Sequence, residues 1–352
     1  MKILITGASG FIGWELAKKL VAQGNELIAY GRRIPENLTH DHITWIKGDF
    51  SSLNEICKVM AECEEVYHLA GIVKMQLKRP NDFYDFNVGV TERLLEASLK
   101  MGIRRFLFTS TCGVFGKSLA KPIAENDIRL EPFNNDYDLS KYMAEQKVHE
   151  YVQKGLDAVI VNPSRVFGPG QLTFPNAMTR FIDSYFKRSF IATPGSGEAV
   201  SNFAFIEDVV KGHILAMKNG KTGHRYIIGG HNLSYNQLLD AIEDVSSIRR
   251  LRIHVPKGLM LTLAQLDVLR SAIMGSELTI RPSDVSRFCN HRKLSSAKAT
   301  DHFGYEITDL NLALTKTIQF LGHPVKWTSS KAPNTNNSTF FKKHQLIQNL
   351  SS

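Results

Sequence analysis

Tyr137 and Lys141, four residues apart in Tyr137-Asp138-Leu139-Ser140-Lys141, have more chemical potential than any other pair in the chain. On a helix that spacing puts both side chains on one face, about one turn apart. A phenol ionises near pH ~10, too high to shuttle protons at neutrality. An ammonium beside it favours the phenolate and is expected to pull that value down. The pair could then pass a proton to or from a carbonyl oxygen near pH 7. Tyr and Lys fall at this spacing by chance in many chains, so the pair gains meaning only from what accompanies it.

The companion feature opens the chain: Lys2-Ile3-Leu4-Ile5-Thr6-Gly7-Ala8-Ser9-Gly10-Phe11-Ile12-Gly13. Ile3 to Ile5 have the apolar character of a buried strand. Gly7, Gly10 and Gly13 follow at three-residue intervals, and a helical pattern begins at once with Trp14, Leu16, Ala17, Leu20 and Val21. Strand, glycine-rich turn and helix together predict a dinucleotide site. Gly7 would permit the turn, Gly10 the approach of a pyrophosphate and Gly13 the packing of helix on strand. The pyrophosphate would sit on the first helical amides, at Phe11 and Ile12.

In this order and separation, the two motifs resemble the extended branch of the short-chain dehydrogenase/reductase superfamily, over about residues 1–325. That branch includes nucleotide-sugar epimerases and dehydratases, dihydroflavonol-4-reductase-like enzymes and 3β-hydroxysteroid dehydrogenase-like enzymes. The resemblance carries over residue by residue. Gly48-Asp49-Phe50 looks like the element that contacts the adenine, with Asp49 as its acid and Phe50 beside it. His68-Leu69-Ala70-Gly71 resembles the end of strand 4, which implies that Leu69, Ala70 and Gly71 lie along the cofactor. Asn87 opens a helix near it, as in the family. Thr109-Ser110-Thr111 resembles the end of strand 5 and puts Thr111 at the catalytic Ser/Thr position. Asn162-Pro163-Ser164-Arg165 looks like the segment beside the nicotinamide, which implies contacts from Pro163 and Arg165. The resemblance further implies that Tyr137 is the general acid or base, that Lys141 also binds the nicotinamide ribose, and that Thr111 holds the substrate oxygen.

Strands are expected around 2–6, 26–30, 43–46, 65–69, 104–110 and 157–162, with helices around 12–23, 52–61, 85–101 and 137–154. This alternation predicts an α/β fold with a Rossmann-type, doubly wound parallel sheet. The nucleotide-binding domain is expected to span 1–168 and return over about 203–230, from Phe203 through Tyr226-Ile227-Ile228. A smaller, mainly helical substrate cap would take about 169–202, including Pro175, and 231–325. Residues 326–352 are polar, with too little apolar surface to fold, and are expected to form a disordered tail.

The chain has 352 residues and a net charge of +9. Its basic residues are scattered without an aromatic-interleaved stripe, so no nucleic-acid partner is expected. Lys2 leads straight into the first strand, and no run of about 18 apolar residues occurs, so neither a signal peptide nor an integral membrane segment is expected. Cys57, Cys63, Cys112 and Cys289 form no paired framework and read as free thiols in a reducing cytoplasm. No metal-ligand spacing is present. The apolar stretch Gly258–Leu269 reads first as a buried cap helix, with a lipophilic pocket lip or a membrane contact as alternatives.

NAD-binding members carry a carboxylate at the end of the second strand for the ribose hydroxyl. Here Gly31, Arg32 and Arg33 stand there, and guanidinium groups suit a 2′-phosphate. NADP(H) is therefore expected over NAD(H). Two activities stay open. One is an NADP-dependent reductase or dehydrogenase acting on the carbonyl or secondary alcohol of a small substrate. The other is a nucleotide-sugar epimerase or dehydratase using the same Thr, Tyr and Lys. Ser201 stands where sugar-modifying subfamilies place a phosphate-binding Arg, and Arg165 where they often carry Asn, so the first is favoured. Arg165, Arg180 and Arg188 could still meet an anionic substrate. A non-catalytic dinucleotide sensor is a third class, disfavoured by the intact Thr111, Tyr137 and Lys141. A homodimer is expected, as in related enzymes, with Leu94, Leu95, Leu99, Met143 and Val148 as candidate interface residues.

Overall fold

The computed structural model describes residues 1–73, 81–173, 176–274 and 282–326; Pro175 and nearly all of the expected tail lie outside the described residues. The chain begins β1 (Lys2–Thr6), α1 (Phe11–Ala22), β2 (Glu26–Gly31), β3 (Ile43–Lys47), α2 (Leu53–Met60) and β4 (Glu65–His68). A helical turn, α3 (Asn81–Phe83), continues through a π-helical segment (Tyr84–Val90) into α4 (Thr91–Lys100). Then come β5 (Arg105–Thr109), α5 (Asp136–Gln153), β6 (Ala158–Pro163), β7 (Arg165–Phe167), α6 (Ala177–Lys187), β8 (Phe190–Pro194) and β9 (Val200–Phe205). The remainder is α7 (Ile206–Asn219), β10 (Arg225–Ile228), β11 (His231–Ser234), α8 (Tyr235–Ser246), β12 (Leu251–Val255), α9 (Lys257–Met274), α10 (Pro282–Cys289), α11 (Ala297–Phe303) and α12 (Leu310–Phe320).

Seven strands form one parallel sheet in the order β10-β6-β5-β4-β1-β2-β3. Its strands are apolar on both faces because helices cover both. The period of two is visible in the packing: Ile3, Ile5, Leu107, Val159 and Val161 enter one core cluster. Leu4, Phe106, Phe108, Ala158 and Ile160 enter the other. Strand order reverses beside β1, with β2 on one side and β4 on the other, and such a switch point opens a crevice at the carboxyl ends of the strands.

The segment from Phe203 divides in two. β9 joins β7 and β11 in a separate three-stranded sheet, while α7 packs against β5, β6 and β10 of the seven-stranded sheet. There His213 docks it to β5, its ring bonded to Thr109 Oγ1 at 3.1 Å and to the Val209 carbonyl at 2.7 Å. Burial pushes that imidazole down to about 4, so it stays neutral at pH 7.

Two expectations are corrected. The Gly258–Leu269 stretch lies in α9, which is not a core helix: Leu259, Leu263, Leu266 and Leu269 are each at least half exposed. Its apolar residues run around the helix rather than along one stripe, so a single packing surface cannot cover them. It does not line the cleft described below. Leu94, Leu95 and Val148 are wholly buried within the chain and pack beneath the sheet, leaving only Leu99 and Met143 of the five as exposed.

Candidate active site

The switch point opens into a cleft of about 840 Å³. At its floor, β1 ends in Gly7, with φ +75°. A Cβ there would lie 2.6 Å from the Ala70 amide nitrogen, and a Cβ on Gly13 would lie 2.1 Å from the Gly7 carbonyl oxygen. Backbone meets backbone at both places, so only glycine lets α1 descend this closely onto the turn. The N-cap of α1 is Gly10, with no side-chain cap and no acid in the first turn. By contrast α2, α5, α8 and α12 are capped by Ser52, Asn135, Ser234 and Asp309. An uncapped helix start facing a cleft presents amide donors and the positive end of the helix dipole, which suits a phosphate. Gly7, Gly10, Phe11, Ile12 and Gly13 all line the cleft, and the residues present fit a dinucleotide.

The end of the cleft beside β2 is lined by Tyr30, Gly31, Arg32, Arg33, Trp45, Phe50 and Phe86. The Arg32 guanidinium sits 4.5 Å from the centre of the Phe86 ring. Neither Arg32 nor Arg33 pairs with an acid among the described residues. Two expected contacts are corrected. Asp49 is exposed and does not line the cleft; its carboxylate accepts the amide and hydroxyl of Ser51 at 2.8 and 2.6 Å. Asn87 is buried behind the wall. Its Oδ1 accepts the Ile72 amide at 2.8 Å and its Nδ2 donates to Ser140 Oγ at 2.9 Å. Leu69, Ala70 and Gly71 do line the cleft. His68, just before them, is locked between Thr6 Oγ1 at 2.7 Å and Thr91 Oγ1 at 2.9 Å.

Tyr137 and Lys141 stand in the first two turns of α5, whose N-cap Asn135 accepts the Asp138 amide at 2.7 Å. The π-helical segment braces that turn: Tyr84 donates its hydroxyl to Asp136 at 2.9 Å, and Asn87 meets Ser140. Ser140 is thus a brace that the motif alone did not assign. Thr111 is held from behind by Asn162, whose Nδ2 donates to the Thr111 carbonyl at 3.2 Å and to Glu145 at 2.7 Å. Thr111, Tyr137 and Lys141 all line the cleft, with Pro163 and Arg165 beside them.

The electrostatics depart from expectation. Burial first, then the Asp138 carboxylate, push the Tyr137 phenol up to about 12; Arg287 and Thr111, within hydrogen-bonding reach, pull only partly against this. Burial pushes the Lys141 ammonium down to about 7. Its Nζ faces the Phe108 ring at 4.3 Å and has no hydrogen-bond partner among the described residues. The expected lowering of the phenol by Lys141 is therefore not what the protein provides. Burial disfavours the charged form of each group, and it is the largest influence on both, so it decides the direction of each shift.

Several cleft residues escaped the sequence reading: Ser110 and Ser164, whose buried hydroxyls have no partner, and Arg287 and Phe288 from α10. The serines sit beside motif residues and could have been flagged. No local signal distinguishes Arg287, which reaches the cleft only through the fold. Of the other arginines considered for an anionic substrate, Arg180 and Arg188 do not line the cleft.

Residues 3–229 match the model of the NAD dependent epimerase/dehydratase family. A Synechocystis sp. protein carrying the name dihydroflavonol 4-reductase is 28% identical over 324 residues, covering 90% of this chain and 93% of its own. Sterol demethylase protein B of Methylococcus capsulatus is 29% identical over 334 residues, covering 93% and 98%. Among solved structures, the UDP-glucose 4-epimerase of Thermotoga maritima superposes with a TM-score of 0.76 at 21% identity, covering 92% of this chain and 99% of that one. The chain belongs to the NAD dependent epimerase/dehydratase family and has the extended short-chain dehydrogenase/reductase fold.

Proposed function

We propose that this protein is an NADP-dependent oxidoreductase, working as a cytoplasmic homodimer, that moves a hydride between the nicotinamide and a carbonyl or secondary alcohol of a small substrate. The observation that carries the reading is the Thr111–Tyr137–Lys141 cluster on a cleft whose far end holds two unpaired guanidinium groups. When bound, the dinucleotide supplies the hydride. The chain's own residues orient the substrate and manage the proton. A phenol held near 12 stays protonated at every working pH, so Tyr137 is poised to donate, the role needed in carbonyl reduction. Thr111 is within reach of the same oxygen and orients it. Lys141, protonated below about 7, lies one turn along the same helix and stabilises the phenolate left by proton donation. Arg32 and Arg33 meet the 2′-phosphate that distinguishes NADP from NAD.

A nucleotide-sugar epimerase is the second reading, favoured by the family to which the chain belongs. It would have to bind a second pyrophosphate. Ser201, at the position where an Arg would do so, is buried with an unpartnered hydroxyl. Titration of NADPH and NADH by fluorescence, followed by a carbonyl panel monitored by NADPH absorbance, tests the proposal. NADPH is expected to bind at least tenfold tighter. Arg32→Ala and Arg33→Ala should each weaken NADPH about tenfold to a hundredfold, with little effect on NADH. Equal binding of the two cofactors would overturn the NADP assignment. Epimerisation of UDP-glucose with no carbonyl reduction would favour the second reading.

A further inference from the structure

Arg165, Arg287 and Arg292 gather at the Tyr137 end of the cleft, and the first two line it. Arg165 donates from one Nη to the Tyr235 hydroxyl at 2.5 Å and reaches the Arg287 carbonyl at 3.5 Å with the other. Its guanidinium lies 5.2 Å from the centre of the Phe288 ring. Arg287 is close enough to Tyr137 to act on its ionisation, and both Arg165 and Arg287 act on Arg292. Burial and these two like charges push Arg292 down to about 10, which leaves it a cation at neutral pH.

None of the three forms an ion pair with a described residue. Several other buried or partly buried arginines have an acid beside them: Arg225 has Glu145, Arg105 has Asp157, and Arg252 has Asp240 and Glu243. Among the described residues, the carboxylate that acts on Arg292 is Asp138, which also acts on Arg129 and leaves its Oδ1 without a partner. Three cations face one anion in a partly desolvated space, an arrangement that is costly until another anion arrives. The cofactor does not supply it from its adenosine end. Arg32 follows β2 and Arg165 follows β6, four strands away in the sheet. At ~4.8 Å between strands, that is roughly 19 Å.

We propose that these guanidinium groups bind an anionic group of the substrate, a carboxylate or a phosphate, close to the oxygen that reacts at Tyr137. The substrate class is then an acidic carbonyl compound or its alcohol. The inference rests on the oxidoreductase reading for the position of the reacting oxygen. Guanidinium presents paired donors to either anion, and the Phe288 ring beside Arg165 suits an apolar body attached to it.

The test uses the full chain, NADPH and three matched ketones: 3-acetylbenzoate, 3-acetylphenyl phosphate and methyl 3-acetylbenzoate. One of the two anions is expected to exceed the neutral ester at least tenfold in kcat/KM, and whichever does so identifies the anion. That ratio should collapse towards one in Arg287→Ala and in Arg292→Ala. It should survive in large part in Arg287→Lys, which keeps the charge and controls for folding. An ester turned over as well as both anions, or a ratio unmoved by both alanine substitutions, would overturn the inference while leaving the oxidoreductase reading intact. In parallel, isophthalate, phenyl phosphate and dimethyl isophthalate are titrated into the NADPH-loaded protein by cofactor fluorescence. Saturable binding of an anion but not the diester, weakened at least tenfold in Arg287→Ala, without reduction of any ketone, would uphold anion recognition and count against the oxidoreductase reading. Neither binding nor turnover of any anion would overturn the inference.

Discussion

Tyr137, half-buried, and Lys141, buried, line one cleft, and desolvation acts on them in opposite directions: the phenol rises to about 12 and the ammonium falls to about 7. A protonated phenol suits donation, but the phenolate it leaves needs a cation beside it. Lys141 is that cation only below about pH 7. Carbonyl reduction is therefore expected to slow as pH rises through about 7, and Lys141→Met should remove this limb while lowering the rate. Tyr137→Phe should cost about a hundred- to ten-thousand-fold in kcat with cofactor binding near wild type, because only the hydroxyl is lost. Steady-state turnover against pH for the three proteins checks both. Wild-type turnover in Tyr137→Phe would mean that the proton comes from another group. The same residue carries a stability signature. Lys141 has a folded value below its unfolded 10.5, so the unfolded chain binds more protons between about 7 and 10.5. Stability therefore falls as pH drops through that window. At pH 7, Lys141→Met is expected to melt higher than wild type.

At the scale of elements, the β1–α1 turn and the brace beneath α5 position the site. The turn depends on two glycines whose missing Cβ atoms would strike backbone. Gly13→Ala would bring its methyl 2.1 Å from the Gly7 carbonyl, a clash that only a shift of α1 relieves. Such overpacking costs roughly 1–3 kcal/mol. The variant is expected to melt a few degrees lower and to lose most cofactor affinity. Gly258→Ala, where a Cβ meets nothing within 4 Å, should leave both unchanged. Thermal melts and NADPH titration of the two variants make the comparison. The brace works through side chains: Tyr84 to Asp136 and Asn87 to Ser140 tie the π-helical segment to the turn that carries Tyr137. A π-helical segment shifts the register of the residues after it, and such segments are frequent next to functional sites.

For the molecule as a whole, the charge and the exposed apolar residues concern association. Leu99 and Met101 at the end of α4 and Tyr142 and Met143 on α5 are exposed on neighbouring helices. They are the remaining candidates for a face shared between two copies, since Leu94, Leu95 and Val148 are used inside the chain. Light scattering at micromolar concentration is expected to give twice the chain mass of 39.5 kDa, and Met143→Glu to shift it towards the monomer. A wild-type monomer at that concentration would rule out a stable dimer. No helix among the described residues is long and apolar enough to cross a membrane.

The strands, the glycine turn and the Tyr-Lys helix were legible in the residues because each depends on local pattern: period-two apolar runs, glycine spacing, and i,i+4 geometry on a helix. Gly7, Gly13, Thr111, Tyr137, Lys141 and Arg165 reach the cleft as their motifs implied. The fold alone decided the rest. Asp49 turned to Ser51 and Asn87 to Ile72 and Ser140, because a polar side chain near a motif bonds the nearest partner that packing offers. α9 was read as core from its composition, yet it lies exposed because nothing in its own sequence says which neighbour will cover it. Burial, which no local sequence states, reversed the expected direction at Tyr137. Arg287 and Arg292 stand far along the chain from the motifs and meet Arg165 only when α10 and the segment after it fold across the cleft. The sequence determined the glycine turn and the one-turn spacing of Tyr137 and Lys141, because both are local. The burial that shifts their ionisation, and the gathering of Arg165, Arg287 and Arg292, are set by distances between remote segments, which exist only in the folded chain.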